Sequence, residues 1–372
     1  MSLRVMKFGG TSVATPENRE FVYQKITRAK QAGYQVVAVI SAMGRRGEPY
    51  ATDTLLDMAL NANPETSQRE LDMIGTTSDS ISAILISANL QRLGHKAIFL
   101  SGAQAGIQTN GIYGDARVTH VDTERILSLL EQDYIPVVPG GQGVCGKDEV
   151  TLLGRGGSDT TACTLGVALN AESTEIYTDV IGMMTADPRI IPEAKLIEFI
   201  SYENCIDMAN LGAKVMHPRS VETAKAAPNM KLYVRSTKSD LNGTLICAQT
   251  GTAGVAGVAL QRNDTIFRGS VSKELAEKLA RVEVNIQQIP GDEAIFAVCE
   301  KEKRRFLENT SAYEAVCVCD RVSLVGAMEH APEFSVPGIT VLCQMTTDGY
   351  ISYWVDKDGA DVARLLHRTY IK

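Results

Sequence analysis

The sequence predicts an α/β protein in which helices cover both faces of a largely parallel sheet, followed by a smaller α+β domain. Over the first two thirds, short runs rich in Val and Ile alternate with segments of helical length. Those runs are mainly apolar, without the regular polar alternation of a strand with one wet face, as expected for strands covered on both faces. Past residue 247 the texture changes to closely spaced strands with few helices.

In chain order, Leu3–Phe8, Gln35–Ile40, Lys96–Leu100, Ile135–Val138 and Glu175–Thr178 read as buried strands. Pro16–Ala32, Glu70–Leu93 and Val121–Gln132 have the apolar spacing of helices between them. Helices over Glu198–Asn210 and Arg219–Ala227 and a strand over Lys231–Arg235 follow. At Cys247–Gly257, Gln, Thr, Gly and Ala replace the apolar blocks, which divides the chain into domains 1–248 and 255–372. Strands in the tail are expected at Ala256–Leu260, Val282–Gln288, Ala294–Cys299, Ala315–Cys319, Val322–Val325, Gly338–Cys343 and Tyr350–Val355. Its helices are expected at Ser272–Ala280, Lys301–Asn309 and Gly359–Arg368. Pro332 and Pro337 leave no room for a fourth helix before Gly338.

Composition narrows the function. The 372 residues carry 37 basic and 44 acidic side chains, a net charge of −7, which argues against nucleic acid or an anionic membrane as the main partner. No apolar run is long enough to span a bilayer, and Met1–Lys7 is too short for a signal peptide. The eight cysteines form no C-x-x-C pair and lie in apolar segments. That reads as reduced thiols in a cytoplasmic protein, with neither zinc nor another bound structural metal nor disulfides.

Two glycine-rich stretches carry chemistry. Lys7-Phe8-Gly9-Gly10-Thr11-Ser12 closes the first strand and opens toward a helix. It reads either as a tight turn with a solvated lysine or as an anion pocket built from backbone N–H groups and an ammonium. Gly154-Arg155-Gly156-Gly157-Ser158-Asp159 precedes an Ala- and Leu-rich helix. Asp159 could cap that helix, but a cap does not explain an arginine among three glycines, and Arg155 suits a two-pronged grip on a carboxylate. Thr178-Asp179 at a strand end, followed by Met184-Thr185-Ala186-Asp187-Pro188-Arg189, fits a nucleotide site at the carboxyl edge of a parallel sheet. Gly212-Ala213-Lys214 adds a second lysine, and His217 before Pro218 reads as a cap or packing residue. Gly141-Gln142-Gly143-Val144-Cys145-Gly146 matches G-x-G-x-x-G, but the alternating stretch after it opens no helix, which excludes a dinucleotide fingerprint.

Taken together, KFGGTSV, VISAMG, GRGGSDTTA, TDV-G-MTADPR, GAKVMHP and RST…GTLI resemble the aspartate kinases of the amino-acid kinase family, densely over residues 3–248. VISAMGRRGEPYATDTLL is most similar to the lysine-pathway enzymes of Gram-positive bacteria. The resemblance implies a three-layer α/β/α amino-acid kinase fold with a smaller C-terminal domain of ACT-like modules, through which the chain would form a homodimer. It implies ATP and Mg²⁺ as cofactors and phosphorylation of the L-aspartate side chain. By the same resemblance, Lys7 and Asp159 are catalytic, and Gly9, Gly10, Ser41, Thr178, Asp179, Met184, Asp187, Arg189 and Lys214 hold the nucleotide. Thr52, Asp79, Arg155 and Ser158 would hold the amino acid. The acceptor carboxylate is ionised at neutral pH, so its attack on phosphorus needs no general base.

Two positions depart from the family pattern. Ser78-Asp79 stands where a Gly-Glu pair is usual, and Gly140-Gly141-Gln142-Gly143 lacks the aromatic of G-F-Q-G. An amino-acid kinase of altered specificity and a weakly active regulatory paralogue are therefore the alternatives.

Overall fold

The computed structural model describes residues 2–213, 215–227, 229–248, 254–281, 284–291, 294–310, 312–326, 328 and 331–371. The chain forms two compact units. The first takes 1–183, 196–205 and 215–250, and the second takes 184–195, 206–214 and 251–372.

The first unit opens with β1 (Leu3–Phe8), α1 (Gly10–Val13), α2 (Pro16–Gln31), β2 (Gln35–Ile40), α3 (Thr52–Ala62) and α4 (Gln68–Arg92). Next come β3 (Ala97–Phe99), β4 (Ile107–Thr109), β5 (Val118–Val121), α5 (Glu124–Glu131), β6 (Ile135–Pro139), β7 (Gln142–Cys145) and β8 (Glu149–Leu152). After α6 (Gly157–Ala168) and β9 (Ser173–Thr178) follow β10 (Phe199–Ser201), α7 (Tyr202–Leu211, assigned to the second unit from Ile206 on), α8 (Pro218–Lys225), β11 (Lys231–Ser236) and β12 (Thr244–Cys247).

Eight strands form the main sheet in the order β10-β12-β11-β9-β1-β2-β6-β3. Pairing is parallel throughout except between β11 and β12. Alternation along β1 sorts its side chains between the two faces. Met6 and Phe8 join the core formed with Val22, Tyr23 and Ile26 of α2 and Ala83, Ile86 and Leu90 of α4. Val5 and Lys7 face α6, which approaches so closely that a Cβ at Gly166 would lie 2.0 Å from Thr174 Oγ1. The layers are thus α/β/α, as expected. A smaller sheet, β5-β4-β7-β8, ends in the β7–β8 hairpin that the rejected glycine motif occupies.

Three expectations need correction. The helix expected from Val121 starts at Glu124, because Val118–Val121 pairs with β4. The helix expected from Glu198 starts at Tyr202, because Phe199–Ser201 pairs with β12. Helix α3 has no counterpart among the expected elements. It buries no residue completely and so leaves no sharp apolar stripe to read.

In the second unit, β13 (Val255–Arg268) is followed by α9 (Lys273–Arg281), β14 (Ile286–Ile289), β15 (Ile295–Val298), α10 (Glu300–Asn309) and β16 (Glu314–Gly326). β17 (Val341–Thr346), β18 (Tyr350–Val355) and α11 (Gly359–Tyr370) complete it. One antiparallel sheet runs β14-β15-β13-β16-β18-β17. The two strands expected within 315–325 are one strand, and β13 continues past Leu260 to Arg268. The polar stretch Arg262-Asn263-Asp264 is a bulge, with Asn263 at φ 58° and its N–H donating to Asp320. Phe267 and Phe296 of the sheet stack on each other and meet Phe306 of α10 and Leu279 of α9 in one core. Val322, Leu324, Tyr353 and Val362 form a second core that also takes in Ala186 and Ile191. Of the expected strand at Val282–Gln288, Val282 and Glu283 lie outside the described residues. Among the described residues of this unit's tail the helices are α9, α10 and α11.

Candidate active site

Parallel strands end together at one sheet edge, and in the first unit that edge gathers most of the expected residues. Lys7, near the end of β1, is 7% exposed, and its Nζ lies 2.6 Å from Asp159 Oδ1. Asp159 stands in the first turn of α6, whose N-cap is Gly156, so the carboxylate serves the lysine and the glycine serves as cap. This separates the two readings of Lys7: the ammonium is buried and held.

Ser41 follows β2 directly. Its Oγ donates to Ser158 Oγ at 2.9 Å, joining a residue expected at the phosphates to one expected at the substrate. Gly9 is fixed by its N–H donating to the Tyr177 carbonyl. A Cβ at Gly10 would lie 2.7 Å from the Ala42 carbonyl, so that glycine is required by a neighbouring strand end.

Asp79 lies midway along α4, in a stretch of Ser and Thr that would ordinarily weaken a helix. Here the hydroxyls of Thr76, Ser78, Ser80 and Ser82 donate to carbonyls three or four residues back. Asp79 Oδ1 accepts from the Ala42 N–H at 2.6 Å. Burial pushes its carboxyl up to about 7, against the pull of that N–H, the Ser78 hydroxyl and the Lys7 charge. Thr52, at the start of α3, pairs with Ser78 at 2.8 Å, one residue from Asp79. Gln142 reaches the same helix, donating to the Thr76 carbonyl at 3.2 Å.

Thr178 ends β9 and Asp179 follows it directly, where the threonine hydroxyl donates to the Asp179 carboxylate at 3.1 Å. Met184, Asp187 and Arg189 belong to the second unit, where Arg189 forks the Asp187 carboxylate at 2.6 and 2.9 Å. Lys214 lies outside the described residues. His217 makes no side-chain cap bond to α8 and packs against Gly156, in keeping with a packing role.

Several contributors are residues to which the sequence motifs assign no role. Asp72 is fully buried and accepts from the N–H groups of Gly114 and Leu152, tying β8 to the adjoining loop. Thr161 accepts from the Gly141 N–H at 2.9 Å, and Ser12 bonds Thr237 at 2.6 Å. Thr161 lies in GRGGSDTTA, Ser12 in KFGGTSV and Thr237 in RST, whereas nothing in the sequence marks Asp72.

The amino acid kinase family profile matches residues 2–236. An aspartokinase from Geobacillus stearothermophilus is 44% identical over 246 residues, which are 66% of this chain and 59% of that protein. The match thus spans less than two thirds of that relative's length. Aspartokinase 1 of Bacillus subtilis (strain 168) is 33% identical over 405 residues, covering 100% of this chain and 99% of its own length. Among solved structures, E. coli aspartokinase III in complex with aspartate and ADP is similar with a TM-score of 0.77. At 23% identity, over 98% of this chain and 99% of that one, the likeness is one of fold. Lysine, glycine and carboxylate motifs, three-layer fold and relatives agree, and the chain belongs to the amino acid kinase family, among its aspartate kinases.

Proposed function

We propose that the protein transfers the γ-phosphoryl group of MgATP to the side-chain carboxylate of L-aspartate, giving 4-phospho-L-aspartate, the first step toward lysine, threonine and methionine. The observation that carries this reading is the buried Lys7–Asp159 pair at the carboxyl edge of the sheet. The acceptor is already an anion, so catalysis consists of bringing two anions together and offsetting the charge between them. Lys7 supplies that positive charge, and Asp159 holds the ammonium in place. Gly9, Gly10 and Ser41 surround the phosphates, and Thr178, Asp179, Met184, Asp187, Arg189 and Lys214 bind the rest of the nucleotide.

Arg155 and Ser158 grip the amino acid, with Thr52 and Asp79 at its ammonium end. Among the described residues no group of three or more His, Cys, Asp or Glu converges to hold a metal. This suits Mg²⁺ carried in on the triphosphate, where it neutralises charge on the transferring group. We assign 255–372 to tandem ACT-like modules that form the homodimer. The order β13-α9-β14-β15-α10-β16 supports the first module. The eight free thiols suit a cytoplasmic protein.

The short Asp79 favours a second reading, a kinase for another amino acid. ADP release measured across the amino acids, with hydroxylamine trapping of the acyl phosphate, decides between them. A trapped product with aspartate above all others is expected, and none with aspartate would overturn the proposal.

A further inference from the structure

We propose that Arg219 is a positioning residue for the amino-acid substrate: braced by Asp115, it clamps the loop that presents Arg155. The inference rests on the aspartate kinase reading above. The loop joins β8 to α6 and contains Gly154 at φ 74° and Gly156 at φ 66°, both left-handed. Glycines reach such angles freely, but the same freedom lets the loop wander unless something outside it holds it.

The restraint comes from the start of α8. Arg219 Nη1 donates to the Leu153 carbonyl at 2.5 Å, and Nη2 donates to Asp115 Oδ1 at 2.6 Å. Asp115 then stands against the loop, since a Cβ at Gly154 would lie 2.9 Å from its Oδ1. On the far side, a Cβ at Gly156 would lie 2.3 Å from His217 Cβ. One short segment, 217–219, therefore bears on Gly156 directly and on Gly154 through Asp115. The clamping side chains are largely shielded, 15% exposed for Arg219 and 23% for Asp115, which strengthens charge-assisted bonds. Two acceptors in different directions demand a planar fork, which a lysine ammonium does not supply.

With the clamp removed, Arg155 must be ordered at the expense of substrate binding. Arg219→Ala should raise the KM for aspartate about tenfold to a hundredfold and leave that for ATP within about twofold, the loss of charge-assisted bonds being felt on one side only. Arg219→Lys should recover little, while guanidinium ion at about 20 mM should restore aspartate use in Arg219→Ala by refilling the fork. Amide exchange at 153–157, measured without substrate, should quicken in Arg219→Ala and in Asp115→Asn. A parallel loss for both substrates, no rescue by guanidinium, or unchanged exchange would overturn the clamp. A wild-type chain inert toward aspartate would instead sink the kinase reading, with exchange alone then deciding the clamp.

Discussion

Replacing Asp79 by Asn should make the protein more stable in mild alkali and poorer at using aspartate under the same conditions. The carboxyl, at 3.8 in an unperturbed chain, is held at about 7 by burial. Between those values the unfolded chain has lost its proton and the folded one has kept it. Stability is therefore fully present below 3.8 and is lost as pH rises through about 7. At about 1.4 kcal/mol per tenfold, the ceiling on that loss is ~4 kcal/mol. Asp79 retains some contact with water, which brings the expected figure to roughly 1–2 kcal/mol. Asn keeps an oxygen for the Ala42 N–H and carries no charge. The gap in thermal midpoint between variant and wild type should therefore widen from about pH 5 to about pH 8.5, by roughly 2–8 °C. In parallel, the wild-type KM for aspartate should fall as pH rises past about 7, where Asp79 ionises and can meet an ammonium. The variant's KM should stay high and flat, with the KM for ATP alike in both. A stability gap independent of pH would refute the assignment of a buried, reluctant acid. An equal rise in both Michaelis constants would make Asp79 structural.

Lys7→Ala should lower turnover about a hundredfold or more, because it removes a charge acting on the transferring group; full activity in the ADP-release assay would refute its role. In the second unit, Arg321 and Asp264 form an ion pair at 3.2 Å at 4% and 1% exposure, and Trp354 donates a hydrogen bond to the same carboxylate oxygen. Arg321→Met strands that carboxylate and should cost ~3–5 kcal/mol in urea unfolding. Inhibition by lysine, threonine or both should stay below about fivefold, the low end of ordinary coupling, because 331–340 forms no helix to wall an effector site. Strong inhibition at sub-millimolar effector would show that the missing wall does not matter.

What is legible in the sequence follows the range of the interactions. Mainly apolar runs mark β1, β2 and β6, because strands covered on both faces admit few polar side chains. Lys7 and the Gly154–Asp159 stretch are legible because each glycine cluster sits where a strand ends. Phe199–Ser201 escapes the sequence reading because three residues are too few to show a period. Thr52 is named by the family resemblance alone, and its bonded partner, Ser78, is a choice fixed by how α3 lies on α4. Arg219 and Asp115 leave no trace, since a pair separated by 104 positions depends on the finished fold alone.

The second unit's core takes Ala186 and Ile191 from the middle of the chain, and the consequence concerns what a protease could separate. The backbone leaves the first unit after Met183, returns at Leu196, leaves after Cys205, returns at Val215, and leaves for the last time after Thr250. A nick within 248–254 would cut the last of these passages and leave the others intact. The freed C-terminal piece would still find Ala186 and Ile191 seated between its strands, held there by a segment belonging to the other fragment. Cleaved protein should therefore migrate as two bands under denaturing conditions and elute as one particle under native ones. Gene truncation at the same point is a different operation, because it removes the strands and helix that bury Ala186 and Ile191.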